Sequence, residues 1–178
     1  MIAFGCGYEN RLGADPGKEI VRFNGECALI FLLLAQVITP LKEVTGINLV
    51  SLRRMLGLFC FMYACVHFIS YVVFLLEFRF SDLITDIVKR PYISVGFTAF
   101  IFLIPLAVTS TRWMVSRLGR SWKILHRLVY LVLLLVLLHL VWLTKTDYSS
   151  AFAYVLLGLI LLLFRAWRWF RKSRVKNV

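Results

Sequence analysis

The sequence predicts an all-α fold, a polytopic transmembrane bundle of five helices. Apolar residues make up 61% of the 178 and charged residues only 17%, a balance foreign to soluble globular chains. The apolar residues gather into five runs close to the roughly 20 residues that a membrane-crossing helix needs. No run alternates apolar and polar positions as a membrane barrel strand would, and in lipid a helix satisfies its own backbone.

The first run is Cys27–Leu41, extendable back to Phe23, and Pro40 is expected to end its helix. Ahead of it, Asp15-Pro16-Gly17 reads as a turn in a polar arm. The second run, Met55–Phe78, carries His67, Cys60 and Cys65. The third, Tyr92–Thr109, follows Pro91, which suits a first helical position, and contains Pro105, which should kink it. The fourth, Ile124–Leu143, carries His126 and His139, and the fifth, Ala151–Phe164, extends to Trp169. The chain thus divides into an outward arm (1–22), a transmembrane domain (23–169) and a basic tail (170–178). Gly57 and Gly96 are small enough to admit a neighbouring helix or a flat macrocycle, plain helix packing being the commoner use. The four cysteines form no C-x-x-C pair, so zinc and thioredoxin chemistry lack support; Cys6 and Cys27 are permitted, not required, to bridge.

A net charge of +12 suggests nucleic acid, but its distribution argues otherwise. With five crossings, fourteen of the 21 Lys and Arg residues fall on one side, in Lys42–Arg54, Ser110–Lys123 with Arg127, and the tail from Arg165. Eight of nine carboxylates fall on the other. The positive-inside rule puts the basic side in the cytoplasm, with the N-terminus outward and the C-terminus inward. Trp113, Trp122, Trp167 and Trp169 sit at that same boundary, where indoles favour the interface. The basic tail is then a stop signal and a lipid-headgroup contact, with no nucleic-acid role.

The only three histidines, His67, His126 and His139, all lie inside these apolar runs. An imidazole in lipid is costly and marks a functional site by default, and imidazole is an axial ligand of haem iron. His67 and His139 lie on two spans running the same way, at a depth that allows both to clamp one iron; sites of this kind form between facing helices. Counted from the outer boundaries, His67 and His139 differ in depth by about 9 Å. His126 has no histidine partner at its depth and faces Arg53 and Arg54. It is left as a ligand of a second haem, a flavin or quinone contact, or an interfacial histidine. On a straight helix it would stand about 140° in azimuth from His139. Arg54, Arg112 and Arg127 are candidate contacts for haem propionates, with snorkelling to headgroups as the ordinary alternative.

Several stretches carry a resemblance: GADPGKEI (Gly13–Ile20), ITPL (Ile38–Leu41), RRMLGL (Arg53–Leu58), HFISY (His67–Tyr71), KRPYISVG (Lys89–Gly96), TSTRWMVSRLGRSWKILHRLVY (Thr109–Tyr130) and HLVW (His139–Trp142). By these the chain resembles the MsrQ (YedZ) family, in the ferric-reductase-like transmembrane group. The resemblance implies a haem-binding subunit of the bacterial methionine sulfoxide reductase system. Such a subunit takes electrons from the quinol pool or a cytoplasmic flavin reductase and passes them across the inner membrane to the periplasmic molybdopterin subunit MsrP, which repairs oxidised envelope proteins. It also implies haem b on His67, His126 and His139, one or two haems in number, together with FMN at residues the motifs do not identify. Members usually have six helices, the first preceding the GADP loop; the resemblance therefore implies a late-assigned start or a truncated form.

These 178 residues leave no room for a soluble nucleotide-binding domain and hold no G-x-G-x-x-G after a strand, so the electrons are expected from a partner or from quinol. Substrate reduction would belong to the partner, and no catalytic residue is assigned here. Two other readings compete: a histidine-relay proton transporter, and a non-redox membrane assembly protein. The first lacks intramembrane carboxylates, Glu26 and Glu77 lying at span edges; the second leaves the histidines unexplained.

Overall fold

The computed structural model describes residues 15–47, 49–144 and 148–176. Every regular element among them is helical: α1 (Pro16–Thr45), α2 (Val50–Ser70, continued by a π-helical segment Tyr71–Leu75), α3 (Phe80–Lys89), α4 (Pro91–Val108), α5 (Arg112–Leu118), α6 (Arg120–Leu125), α7 (Leu128–Leu143) and α8 (Tyr148–Lys176). Among the described residues, five stretches are long and apolar enough to cross a membrane: Pro16–Thr45, Ser51–Leu75, Pro91–Val108, Arg120–Leu143 and Ala151–Arg171. The five-span bundle and all-α class are therefore as the sequence predicts, and the chain is an integral membrane protein. Cys6 lies outside the described residues, and Cys27, Cys60 and Cys65 are free thiols.

The spans associate as two antiparallel pairs. Helix α1 packs along α2 and α4 packs along α7; α2 meets α4 between the pairs, and α8 lies against α7 and α1. The core at their meeting contains Leu29, Leu33, Cys60, Leu103, Val132 and Leu133. Gly158 of α8 makes room for Leu137, whose methyl carbon would lie 2.7 Å from any added Cβ. Apolar side chains such as Ile69, Leu134 and Leu163 point outward at 57%, 50% and 68% exposure, as lipid-facing residues do.

Three boundaries differ from those expected. Asp15 and Pro16 start a helix where the sequence reads as a turn: the Asp15 carboxylate accepts from the Lys18 amide at 3.2 Å, and Pro16 occupies the first turn. The neighbouring Lys18 holds the Asp15 carboxyl below its ordinary value. Pro40 does not end α1, which continues to Thr45 and closes on left-handed Gly46. Its missing N–H removes only the bond to the Gln36 carbonyl, a defect that neighbouring helices accommodate in a membrane. The fourth span is broken at His126 and Arg127, where a turn separates α6 from α7.

At one end of the bundle stand Arg53, Arg54, α5 and α6, and this is called the basic end. The opposite end carries α3, whose Phe80, Ile84 and Val88 are exposed at 63%, 68% and 77%. The sequence alone places only a connecting loop, Arg79–Pro91, between the second and third apolar runs. Its apolar residues recur every four positions, and the helix is amphipathic and too short to span.

Candidate functional site

Each helix pair holds one histidine in the same way. His67 of α2 directs Nδ1 at the Val21 carbonyl of α1 at 2.8 Å. His139 of α7 directs Nδ1 at the Tyr92 carbonyl of α4 at 2.7 Å. A carbonyl can only accept, so both imidazoles carry their proton on Nδ1 and keep the Nε2 lone pair. Four residues beyond each carbonyl stands a glycine. A Cβ on Gly25 would meet the His67 ring at 3.0 Å, and one on Gly96 would meet His139 Nδ1 at 2.8 Å. Glycine lets the imidazole lie against the helix backbone and reach a carbonyl already engaged in the helix ladder.

Phe68, next to His67, packs on Phe97, next to the Gly96 that seats His139, so the two histidine sites adjoin across α2 and α4. Among the described residues neither Nε2 has a hydrogen-bond partner. An imidazole with Nδ1–H on a carbonyl and a free Nε2 is the usual arrangement of a metal-ligating histidine. The expected depth mismatch also shrinks. Helix α2 ends in the π segment at Leu75, eight residues past His67, and α7 ends four past His139. The difference is about 6 Å. Behind His67, Asn24 Nδ2 donates to Ser70 Oγ at 3.1 Å, a buried bond that locks α1 to α2.

His126 is held differently. The Thr109 hydroxyl gives its one hydrogen to the Pro105 carbonyl at 2.6 Å, so His126 Nε2–H donates to Thr109 Oγ1 at 3.1 Å. The ring stacks on Trp122 at 4.0 Å, and Trp122 Nε1 donates to the Thr109 carbonyl at 2.9 Å. His126 therefore presents no free Nε2 here, and the break after α6 voids the straight-helix azimuth. It does line one cavity with Arg53 and Arg54.

His126 lines a cavity of about 760 Å³ that opens at the basic end. Arg53, Arg54, Arg112, Lys123 and Arg127 border it, with no carboxylate among the lining residues. The three candidate arginines thus gather with His126. Deeper in the cavity stand Gly57, Cys60, Phe61 and Gln36. A Cβ on Gly57 would meet nothing within 4 Å, so this glycine serves open space, unlike Gly96. Gln36 is 2% exposed, and its side-chain oxygen and nitrogen both lack a partner. A buried amide left so is costly unless something fills the space beside it. Sequence reading overlooked both Gln36 and Gly25. Gln36 carried a signal, as one of the few amides inside an apolar run; Gly25 carried none.

Aromatic rings span the distance between cavity and histidine pair. Phe61 stacks with Phe100 at 6.2 Å, Phe100 with Phe68 at 5.3 Å, and Phe68 packs on Phe97 at 5.9 Å. Phe68 adjoins His67 and Phe97 adjoins Gly96 in sequence.

The chain is similar to known proteins. The family described as "Ferric reductase like transmembrane component" matches residues 25–137. A protein named protein-methionine-sulfoxide reductase heme-binding subunit MsrQ, from Herminiimonas arsenicoxydans, is 45% identical over 170 residues, which is 93% of this chain and 78% of the relative. The protein of that name from Xanthomonas oryzae pv. oryzae (strain MAFF 311018) is 44% identical over 93% of this chain and 76% of its own length. That from Xanthomonas campestris pv. campestris (strain 8004) is 46% identical over 88% and 72%. No solved structure matches. With relatives this similar over nearly its whole length, the chain belongs to the MsrQ family of the ferric-reductase-like transmembrane proteins.

Proposed function

We propose that this protein is a haem b electron-transfer subunit. It would carry electrons from the quinol pool, or from a cytoplasmic flavin reductase, across the bacterial inner membrane to a periplasmic, MsrP-like molybdopterin reductase of methionine sulfoxide. The observation that carries the reading is the matched pair of imidazoles, each with Nδ1–H on a main-chain carbonyl and Nε2 unpartnered. The names of the relatives, heme-binding subunits of methionine sulfoxide reductase, supply the biological setting.

His67 and His139 would hold the iron. The Val21 and Tyr92 carbonyls keep each proton on Nδ1 and fix ring orientation, while Gly25 and Gly96 let the rings seat. Haem b bound between them supplies a one-electron carrier. The catalytic step belongs to the partner, so the chain contributes no substrate-reducing residue.

We assign His126 to the wall of the basic-end cavity, with its ring locked by Thr109 and Trp122, and not to a third iron bond. That cavity is the electron-delivery site. Its five cations suit an acidic group, and the unpaired Gln36 amide suits a ligand edge offering both a donor and an acceptor. FMN has both, so Arg54, Arg112 and Arg127 are assigned to its phosphate in preference to haem propionates. The basic end faces the cytoplasm by the positive-inside rule. The reductase partner docks at the other end, on the segments Arg79–Pro91 and Thr144–Ser150, of which 145–147 lie outside the described residues.

The visible spectrum of the purified protein tests this. A reducible Soret band at one haem per chain is expected. His67→Ala and His139→Ala should abolish it, and His126→Ala should keep it while losing reduction by the cytoplasmic-side donor. Folded wild-type protein that stays colourless on haem reconstitution would overturn the reading.

A further inference from the structure

Between the two histidine-bearing pairs, at the end away from the cavity, one carboxylate touches both sides. Asp86 belongs to α3, outside the spans, yet its side chain is only 14% exposed. Its Oδ2 accepts from the Tyr71 hydroxyl at 2.5 Å, and its Oδ1 forms an ion pair with Arg90 Nε at 3.0 Å. Arg90 Nη1 in turn donates to the Tyr92 hydroxyl at 3.4 Å. The other ion-paired carboxylates at this end among the described residues, Asp15, Glu26, Glu77 and Asp82, are 50%, 36%, 76% and 45% exposed, and each pairs with a cation two to four residues away.

Each arm of this network ends on a support of one imidazole. Tyr71 is one turn beyond His67, and its amide bonds to the His67 carbonyl. It also begins the π segment, where the regular ladder changes register and does less to fix the helix end. Tyr92 offers the carbonyl that holds His139 Nδ1. It sits in the first turn of α4, whose N-cap, Arg90, provides no side-chain cap. Ser94 bonds back to the Ile87 carbonyl, so α3 and the start of α4 are tied together.

We propose that Asp86 is a positioning residue for the histidine pair, bracing the His67 turn through Tyr71 and the His139 acceptor through Arg90 and Tyr92. The inference rests on the proposed haem ligation. It adds that the amphipathic helix α3, on the outward face, is mechanically joined to both imidazoles. Movement of α3 is therefore felt at both ligands together.

The test uses the full-length haem-loaded protein with Asp86→Asn, Tyr71→Phe and, as a control on the same helix, Asp82→Asn. Loss of a direct outer partner of a metal ligand typically costs 10–100-fold in affinity or activity. Asp86 acts one step further out. The ratio of reduced to oxidised haem at a fixed ambient potential should therefore change by about threefold or more in Asp86→Asn and Tyr71→Phe. The low-spin ferric EPR signal should shift with it, and Asp82→Asn should leave both unchanged. Haem-loaded Asp86→Asn and Tyr71→Phe with wild-type ratio and EPR signal would overturn the brace. If Asp86→Asn does not fold, Tyr71→Phe, which loses one oxygen, decides alone. If the wild-type protein itself takes no haem, the ligation reading fails, and the brace is then read by hydrogen exchange. Faster exchange around Tyr71 and Tyr92 in Tyr71→Phe supports it, and unchanged exchange at both sinks it.

Discussion

An alanine methyl at position 96 would sit 2.8 Å from His139 Nδ1, and one at position 25 would sit 3.0 Å from the His67 ring. Neither ring can retreat without lengthening its bond to the carbonyl that fixes its tautomer. Gly96→Ala and Gly25→Ala are thus expected to weaken haem affinity by about 10–100-fold, the usual effect of disturbing an outer partner of a metal ligand. The overpacking itself should cost about 1–3 kcal/mol. Gly57→Ala, with nothing near its Cβ, should leave haem affinity unchanged. Haem titration of the three apoproteins checks this, and Gly96→Ala with wild-type affinity would remove the glycine argument. Gln36 makes an opposite kind of test. Its two unpaired side-chain atoms penalise the ligand-free protein, so Gln36→Leu should stabilise that form by about 1–3 kcal/mol. The same change should weaken flavin binding. Thermal unfolding with and without added FMN separates these effects; destabilisation of the ligand-free protein by Gln36→Leu would show that the cavity is not where the amide finds its partner.

Helix existence was legible in the sequence because lipid leaves few alternatives for long apolar runs, and the histidines were legible because each breaks such a run. Helix ends were less so. Asp15-Pro16 suits both a turn and a helix start, and the apolar run beyond it lets the Asp15 cap begin a helix. The break at His126–Arg127 leaves no composition signal, since Leu125 and Leu128 continue the apolar run around it. Gly25 became meaningful only once α1 was paired with α2, a long-range fact. At the far end of α2, Glu77 and Phe78 adopt φ of 48° and 62°, left-handed values that bulky residues rarely take. The π segment and the turn into α3 impose them. Phe78 is 61% exposed and loses little burial if truncated. Phe78→Gly should therefore raise stability by about 1 kcal/mol by relieving that strain. A fall in the thermal midpoint of this variant would mean that Phe78 is anchored by lipid or partner more strongly than its backbone is strained.

At the scale of the whole molecule, the bundle consists of two helix pairs, each closed on itself by a histidine–carbonyl bond. The α1–α2 and α4–α7 interfaces are extensive, whereas the pairs meet each other mainly along α2 and α4 and through α8. At the basic end α8 ties back across the bundle, with Arg168 paired to Glu43 and Arg165 bonded to Thr39 and lying 5.5 Å over the Tyr130 ring. The opposite end has no such cross-tie from α8 among the described residues. There Asp86 links the pairs, and a shared iron would be a second link. An iron held by His67 from one pair and His139 from the other would join the pairs through two strong bonds, beside the packing of Phe68 on Phe97 and Phe100. Ligand that binds the folded state alone stabilises it by mass action, about 2.7 kcal/mol at a hundred times its dissociation constant. Haem loading should raise the unfolding midpoint by that order. Neither His67→Ala nor His139→Ala should gain anything from haem, since either leaves a single tether on one pair. His126→Ala should gain as much as the wild type, because its ring is committed to Thr109 on the cavity side. Calorimetry of the four proteins with and without haem distinguishes the cases. Full stabilisation in His139→Ala, or none in His126→Ala, would mean that the iron does not bridge the two pairs.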